Sequence, residues 1–170
     1  MRVLVRKKAE LERARRNTRC LEKYHRREGL LRQLIEEKAS GREPDIEGWK
    51  WLHELVTNLT ETGMSSEESD DENGVAVFRV RALPWRRDIE KELSLVDALG
   101  SQRGSLYQKR GAKPAKRIRG TQLLSLWPPA AGLPRALYRD EWWNEREDNY
   151  RRLTLGVPEK DFMWMNLVRN

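Results

Sequence analysis

Apolar positions along the chain change their spacing several times, and each change marks an element. Leu11, Ala14, Thr18, Leu21 and Tyr24 recur at steps of three and four, which predicts a narrow, weakly apolar stripe along a helix. Glu12/Arg16, Glu22/Arg26 and Glu28/Arg32 stand four apart with the acid first. That order favours a helix by roughly 0.2–0.5 kcal/mol per pair. Gly29 is expected to weaken or break this helix, after which Leu30, Leu31, Leu34 and Ile35 form a stronger apolar face that ends in the Ser40 to Pro44 stretch. A second helix is expected from near Pro44, carrying Ile46, Trp49, Leu52, Leu55, Val56 and Leu59 and stopping at Gly63. The two stripes should pack as a helical hairpin.

Residues 64–74 have no apolar period and are rich in Ser, Asp and Glu, so they predict an exposed acidic loop. From Val75 the period becomes two. Ala76, Phe78, Val80 and Ala82 share one face of a strand, and Val75, Val77, Arg79 and Arg81 share the other, with Pro84 closing it. Asp88 can cap a helix bearing Ile89, Leu93, Val96 and Leu99 and stopping at Gly100. Residues 100–120 hold seven basic and no acidic side chains, with four Gly and one Pro, and predict a flexible basic loop. A strand is not stable alone, and its expected partner is residues 118–126, where Leu124 and Leu126 flank Ser125. Asp140 and Glu141 should open a short helix with Trp142 and Trp143 in its first turn and Arg151-Arg152 at its end.

The expected fold class is therefore mainly α with a minor two-stranded β element, a small α+β protein with partly disordered basic and acidic loops. In order, residues 1–43 form a basic helical arm, 44–63 a helix and 64–74 the acidic loop. Residues 75–155 form a small module interrupted by the basic loop, and 156–170 a Trp- and Met-containing tail.

Composition limits this picture. Only 38% of the 170 residues are hydrophobic and 36% are charged, and Leu, Val, Ile and Phe together number 37. That is enough for one small core, anchored by the seven Trp, each able to remove roughly 150–250 Å² from water. A single Cys20 and two His leave no disulfide framework and no metal-ligand spacing, and no cofactor is expected. With no apolar run near the roughly 20 residues that cross a bilayer, and no signal peptide, the expectation is an intracellular chain without a membrane partner.

The net charge of +7 conceals blocks: +7 over residues 1–38, −8 over 39–74, +8 over 75–120 and zero over 121–170. Two basic segments are candidates for contact with a DNA or RNA backbone. The first is the arm, with Arg13, Arg15, Arg16, Arg19, Lys23, Arg26 and Arg27. The second, with Lys109, Arg110, Lys113, Lys116, Arg117 and Arg119, could equally fit the acidic groove of a nuclear import receptor, since both partners need point cations on an extended chain. Ser65, Ser66 and Ser69 sit among acids, with Glu68 and Glu72 three residues after Ser65 and Ser69, the spacing read by acidophilic kinases. His25 and His53 fall in different helices without a partner nucleophile, so no catalytic residue is assigned.

Three blocks also carry a resemblance. Gly63-Met64-Ser65-Ser66-Glu67-Glu68-Ser69-Asp70, Phe78-Arg79-Val80-Arg81-Ala82-Leu83-Pro84-Trp85-Arg86 and Gly132-Leu133-Pro134-Arg135-Ala136-Leu137-Tyr138-Arg139-Asp140-Glu141-Trp142 occur in this order. Together they resemble a large group of uncharacterised proteins expanded in mushroom-forming fungi, with a suggested link to mobile elements. The resemblance spans roughly residues 45–143 and implies no activity, but it implies that the three blocks belong to one module. The functional expectation is a non-enzymatic nuclear protein, otherwise cytoplasmic, that touches nucleic acid through its basic segments. The alternatives are a phosphorylation-regulated adapter that binds a protein partner and, less favoured, a metal-dependent nuclease.

Overall fold

The computed structural model describes residues 2–41, 45–64, 66–103 and 116–165, and it is mainly helical with a small β-sheet. Helix α1 runs without a break from Arg2–Gly41, 40 residues, or about 60 Å at 1.5 Å per residue. Gly29 does not interrupt it. A glycine inside a helix costs about 1 kcal/mol, and each neighbouring leucine that is buried returns roughly 1.5–3 kcal/mol. Leu30, Leu31 and Leu34 are all buried, so packing outweighs propensity. A Cβ added at Gly29 would meet nothing within 4 Å. Gly29→Ala is accordingly expected to raise stability by about 0.5–1 kcal/mol, and a lowered urea midpoint would contradict this.

The docked face of α1 is not the apolar stripe expected from Leu11 to Tyr24. Leu11 is 59% and Leu21 42% exposed, while Cys20, Lys23, Arg27, Leu30, Leu31 and Leu34 are buried. Those six keep helical spacing, but two of them are cations, so apolarity alone selects the wrong face. Helix α2, Ile46–Leu59, buries Trp51, Leu52, Leu55, Val56 and Leu59 and forms the expected hairpin with α1. Asp45, just ahead of α2, accepts hydrogen bonds from Trp49 Nε1 at 2.8 Å and Lys38 Nζ at 3.0 Å. These donors hold its carboxyl below the usual aspartate range. At the far end, Gly63 lies so close to Leu59 that an added Cβ would sit 2.5 Å from the Leu59 carbonyl oxygen, so only glycine fits there.

The acidic stretch expected as a loop contains a strand. β1, Ser66–Glu72, pairs antiparallel with β2, Val75–Ala82, from Ser66 opposite Arg81 to Glu72 opposite Val75. Asn73 and Gly74 join them with φ of 56° and 80°, the left-handed pair that tight hairpin turns require. The Gly74 N–H also donates to Asp71 Oδ1 at 2.6 Å. A hairpin turn and a basic partner strand override the poor strand propensity of Asp and Glu. β2 pairs in parallel with β3, Lys116–Leu124, giving a sheet of order β1-β2-β3. The minor β element thus gains a third strand from the acidic block.

Two facings in the sheet differ from the period-two reading. Val77, expected on the basic side, is buried. At the end of β3, Ser125 is buried while Leu124 and Leu126 are exposed. The Ser125 N–H donates to the Ala82 carbonyl at 2.8 Å and its hydroxyl accepts from the Trp127 N–H at 3.3 Å, so the buried serine is satisfied.

Helix α3, Glu90–Gln102, extends two residues beyond Gly100; its N-cap is Ile89 and not the expected Asp88, whose carboxylate, one residue earlier, accepts from the Glu90 N–H at 3.1 Å. The stretch expected as a basic loop is regular at both ends. Residues 100–102 are helical and 116–120 are in β3, while 104–115 lie outside the described residues.

Downstream of β3, the Pro-Trp-Arg and Gly-Leu-Pro blocks meet. The Arg87 N–H donates to the Leu137 carbonyl and the Arg139 N–H to the Trp85 carbonyl, both at 2.9 Å. Trp85 and Tyr138 are buried side by side with centroids 6.0 Å apart, and the Tyr138 hydroxyl donates to the Ala130 carbonyl at 2.6 Å. The helix expected to run from Asp140 to Arg152 is divided into α4, Asp140–Asn144, and a π turn, Tyr150–Leu155, closed by Gly156 at φ 54°. The tail folds back on α2: Trp51 Nε1 donates to the Met163 carbonyl at 2.7 Å, and its ring meets Phe162 and Trp164. Among the described residues no helix is long and apolar enough to cross a membrane.

Candidate nucleic-acid surface and groove

The candidate cations of α1 separate into three groups. Lys23 and Arg27 belong to the interior. Lys23 Nζ pairs with Glu67 Oε1 of β1 at 3.2 Å, with both side chains about 95% out of solvent. Arg27 grips the Asp97 carboxylate of α3 with two bonds, at 2.9 and 2.7 Å. Neither is placed to reach an external phosphate, which corrects the expectation for both. Burial, only partly offset by Glu67, holds the Lys23 ammonium below its ordinary pKa.

A group that binds fewer protons folded than unfolded makes stability rise with pH between its two pKa values. Measured by denaturant titration against Lys23→Met, the native chain should gain stability as pH climbs from the lowered Lys23 value toward the ordinary lysine value. A relative loss across that window would contradict burial of this charge.

A second group packs on aromatic rings. The Arg16 guanidinium stacks on Trp127, and Arg19 lies 5.4 Å from the Phe78 centroid. Burial lowers the Arg16 pKa to about 10, with Cys20 opposing and Arg13 reinforcing the shift. Arg26 Nε donates to the Glu22 carbonyl at 3.3 Å.

The third group faces solvent: Lys7, Arg13 and Arg15 are exposed, with Arg13 at 6.0 Å from the Trp127 centroid. Residues 1–19 carry eight cations against two acids. The acidic strand thus answers Lys23 of α1 through Glu67, whereas Lys7, Arg13 and Arg15 keep their charge toward solvent.

Of the second basic segment, Lys109, Arg110 and Lys113 lie outside the described residues. Lys116, Arg117 and Arg119 are at the start of β3, in register with Val77, Phe78 and Val80. Ser65 is also outside the described residues, whereas Ser66 and Ser69 are in β1, opposite Arg81 and Phe78. Sequence reasoning did not single out Glu67 and Asp97, the partners of the buried cations. The signal for Glu67 was Asn73-Gly74, which folds the acidic run back along β2.

Sequence reasoning also missed a groove of about 530 Å³ between the middle of α1, the turn after α2 and the Trp127 to Ala130 segment. Arg13, Arg16, Cys20, Met64, Leu83, Trp85 and Trp127 are among its walls. Trp85 is 2% exposed, and among the described residues neither its Nε1–H nor the buried Arg16 Nη1 has an acceptor. Comparison with known protein families, curated proteins and solved structures finds no match to this chain.

Proposed function

We propose that this protein is a non-enzymatic nuclear protein that contacts the phosphate backbone of DNA or RNA without reading sequence, through exposed cations in the first half of α1. The division of the helix carries this reading. Its docked cations are neutralised inside the fold, whereas Lys7, Arg13 and Arg15 stand in solvent on a helix rich in positive charge. A cationic helix lying along a duplex releases condensed counterions, and that release dominates non-specific affinity. Titration into duplex DNA and RNA at 50 and 200 mM salt tests it. Affinity should drop steeply between the two, as log affinity falls with log salt by about 0.9 for each phosphate neutralised on B-DNA. An absence of binding at the lower salt would overturn the reading.

The nuclear part rests on the basic run from Lys109 to Arg119. Changing Lys113, Lys116, Arg117 and Arg119 to Ala is expected to abolish nuclear accumulation of the tagged protein. Unchanged accumulation would reject it.

One observation favours a second reading, a phosphorylation-regulated adapter. β1 is an edge strand holding Ser66 and Ser69 on either side of Glu67, the partner of Lys23. Phosphate there would add roughly −1.5 to −2 charges per site beside that pair. A protein partner captured in the presence of nuclease, and lost when Ser66 and Ser69 are changed to Ala, would favour the adapter over the first reading.

A further inference from the structure

We infer that the sheet joins with the sheets of further copies of this chain, the outer edge of β1 in one copy pairing with the outer edge of β3 in the next. A sheet of order β1-β2-β3 has two outer strands, and among the described residues no fourth strand pairs with either. Alternate residues of an outer strand turn their backbone N–H and C=O away from the sheet, where a further strand can take them up.

Helix α1 lies across a face of the sheet and not along the β1 edge. Glu67 stands opposite Val80, and Phe78 is two residues from Val80, so Glu67 and Phe78 share a face. α1 meets that face at both places, with Lys23 Nζ 3.2 Å from Glu67 and Arg19 5.4 Å from the Phe78 centroid.

Charge selects which edges meet. β1 holds five acids and no base in seven residues, whereas β3 holds three bases and no acid. All three bases fall within Lys116 to Arg119, where the register with β2 is regular. β1 against β1, or β3 against β3, sets like charges opposite one another, which destabilises cross-strand pairs, and β1 against β3 sets opposite ones. Because β1 runs antiparallel and β3 parallel to β2, a copy placed by translation alone presents its β1 antiparallel to the β3 of its neighbour. Such a contact joins two different surfaces, so an edge stays free at each end and growth does not stop at a dimer. The regular run of β3 is short, which makes each contact weak and sensitive to salt.

The inference uses none of Lys7, Arg13 and Arg15, on which the phosphate-backbone reading rests. It shares Lys116, Arg117 and Arg119 with the reading for nuclear import and β1 with the adapter reading, so the test uses purified, unphosphorylated chain free of nucleic acid and other proteins. Sedimentation follows its mass over a roughly hundredfold range of concentration. At low salt the average mass should pass twice the 20.1 kDa of one chain and keep rising, and at high salt it should return to that of one chain.

Glu68→Lys, Asp70→Lys and Glu72→Lys together make a chain basic at both edges. These positions alternate with Glu67 and Asp71, so the bonds to Lys23 and to the Gly74 N–H are kept. Lys116→Glu, Arg117→Glu and Arg119→Glu together make a chain acidic at both edges. Each variant alone should sediment as a single chain, and an equimolar mixture of the two should associate again. A native chain that stays single throughout, growth that stops at a dimer, or a mixture of folded variants that stays single would each overturn the inference. Should either variant fail to fold, hydrogen exchange of the native chain decides. The backbone amides of β1 and β3 should then exchange more slowly as concentration rises while those of β2 keep their rates, and unchanged rates in β1 and β3 would overturn the inference.

Discussion

Glu67→Ala is expected to lower the folding free energy by about 3–5 kcal/mol, because it removes the carboxylate facing an ammonium that the fold keeps out of water. A domain of this kind has only about 5–15 kcal/mol in total, so the variant should be close to unfolding in the absence of ligand. The origin of the loss distinguishes this pair from the surface pairs elsewhere on the molecule. Lys50–Glu47, half-exposed at 2.7 Å, belongs to the class worth about 0–1 kcal/mol. Adding Lys23→Met to Glu67→Ala removes the buried charge as well, and an apolar replacement of a buried pair is often neutral or stabilising. Most of the lost stability should return in the double variant. Urea denaturation of the four proteins in the cycle measures this, and a cost below about 1 kcal/mol for Glu67→Ala would mean that Lys23 reaches solvent.

Changing Lys7, Arg13 and Arg15 together to Ala is expected to weaken binding to duplex DNA on the order of a hundredfold at 50 mM salt, since each lost contact forfeits its counterion release. The three side chains are solvent-exposed on a helix, where alanine is the best helix former. Folding should therefore be preserved, and circular dichroism with an unchanged urea midpoint would confirm that only binding moved. Undiminished affinity in a folded triple variant would move the contact away from the first half of α1.

The helical hairpin was legible because Leu52, Leu55, Val56 and Leu59 keep a clean helical period, and so do Leu30, Leu31 and Leu34, although the tryptophan that α2 buries is Trp51 and the expected Trp49 is only half-buried. The docked face of α1 upstream of Leu30 was not. Its period is intact, but Lys23 and Arg27 occupy positions that a pattern of apolar residues assigns to solvent. Such residues enter a core only when a partner from a distant element meets them. Glu67 and Asp97 lie 44 and 70 residues along the chain from their partners. Nothing local to α1 announces them.

The third strand was half legible. Asp and Glu argue against a strand at 66–72, whereas Asn73-Gly74 between two extended runs argues for a hairpin, and the turn prevailed. The groove was illegible for a different reason: its walls, among them Arg16, Trp85 and the Pro128-Pro129 pair, come from three separate stretches of chain. The basic surface on α1 could be read as charge. Only the structure separates Lys7, Arg13 and Arg15 from the cations that hold the fold together.

That separation is tested most directly by the salt dependence of duplex binding in three proteins: the native chain, the Lys7/Arg13/Arg15→Ala variant, and a variant with Lys23→Met and Glu67→Leu. The account predicts that the slope of log affinity against log salt becomes shallower by about 3 in the first variant. It predicts no change in the second, whose lost cation never faced solvent. Equal slopes in the native chain and the surface variant, or a shallower slope in the buried-pair variant, would contradict it.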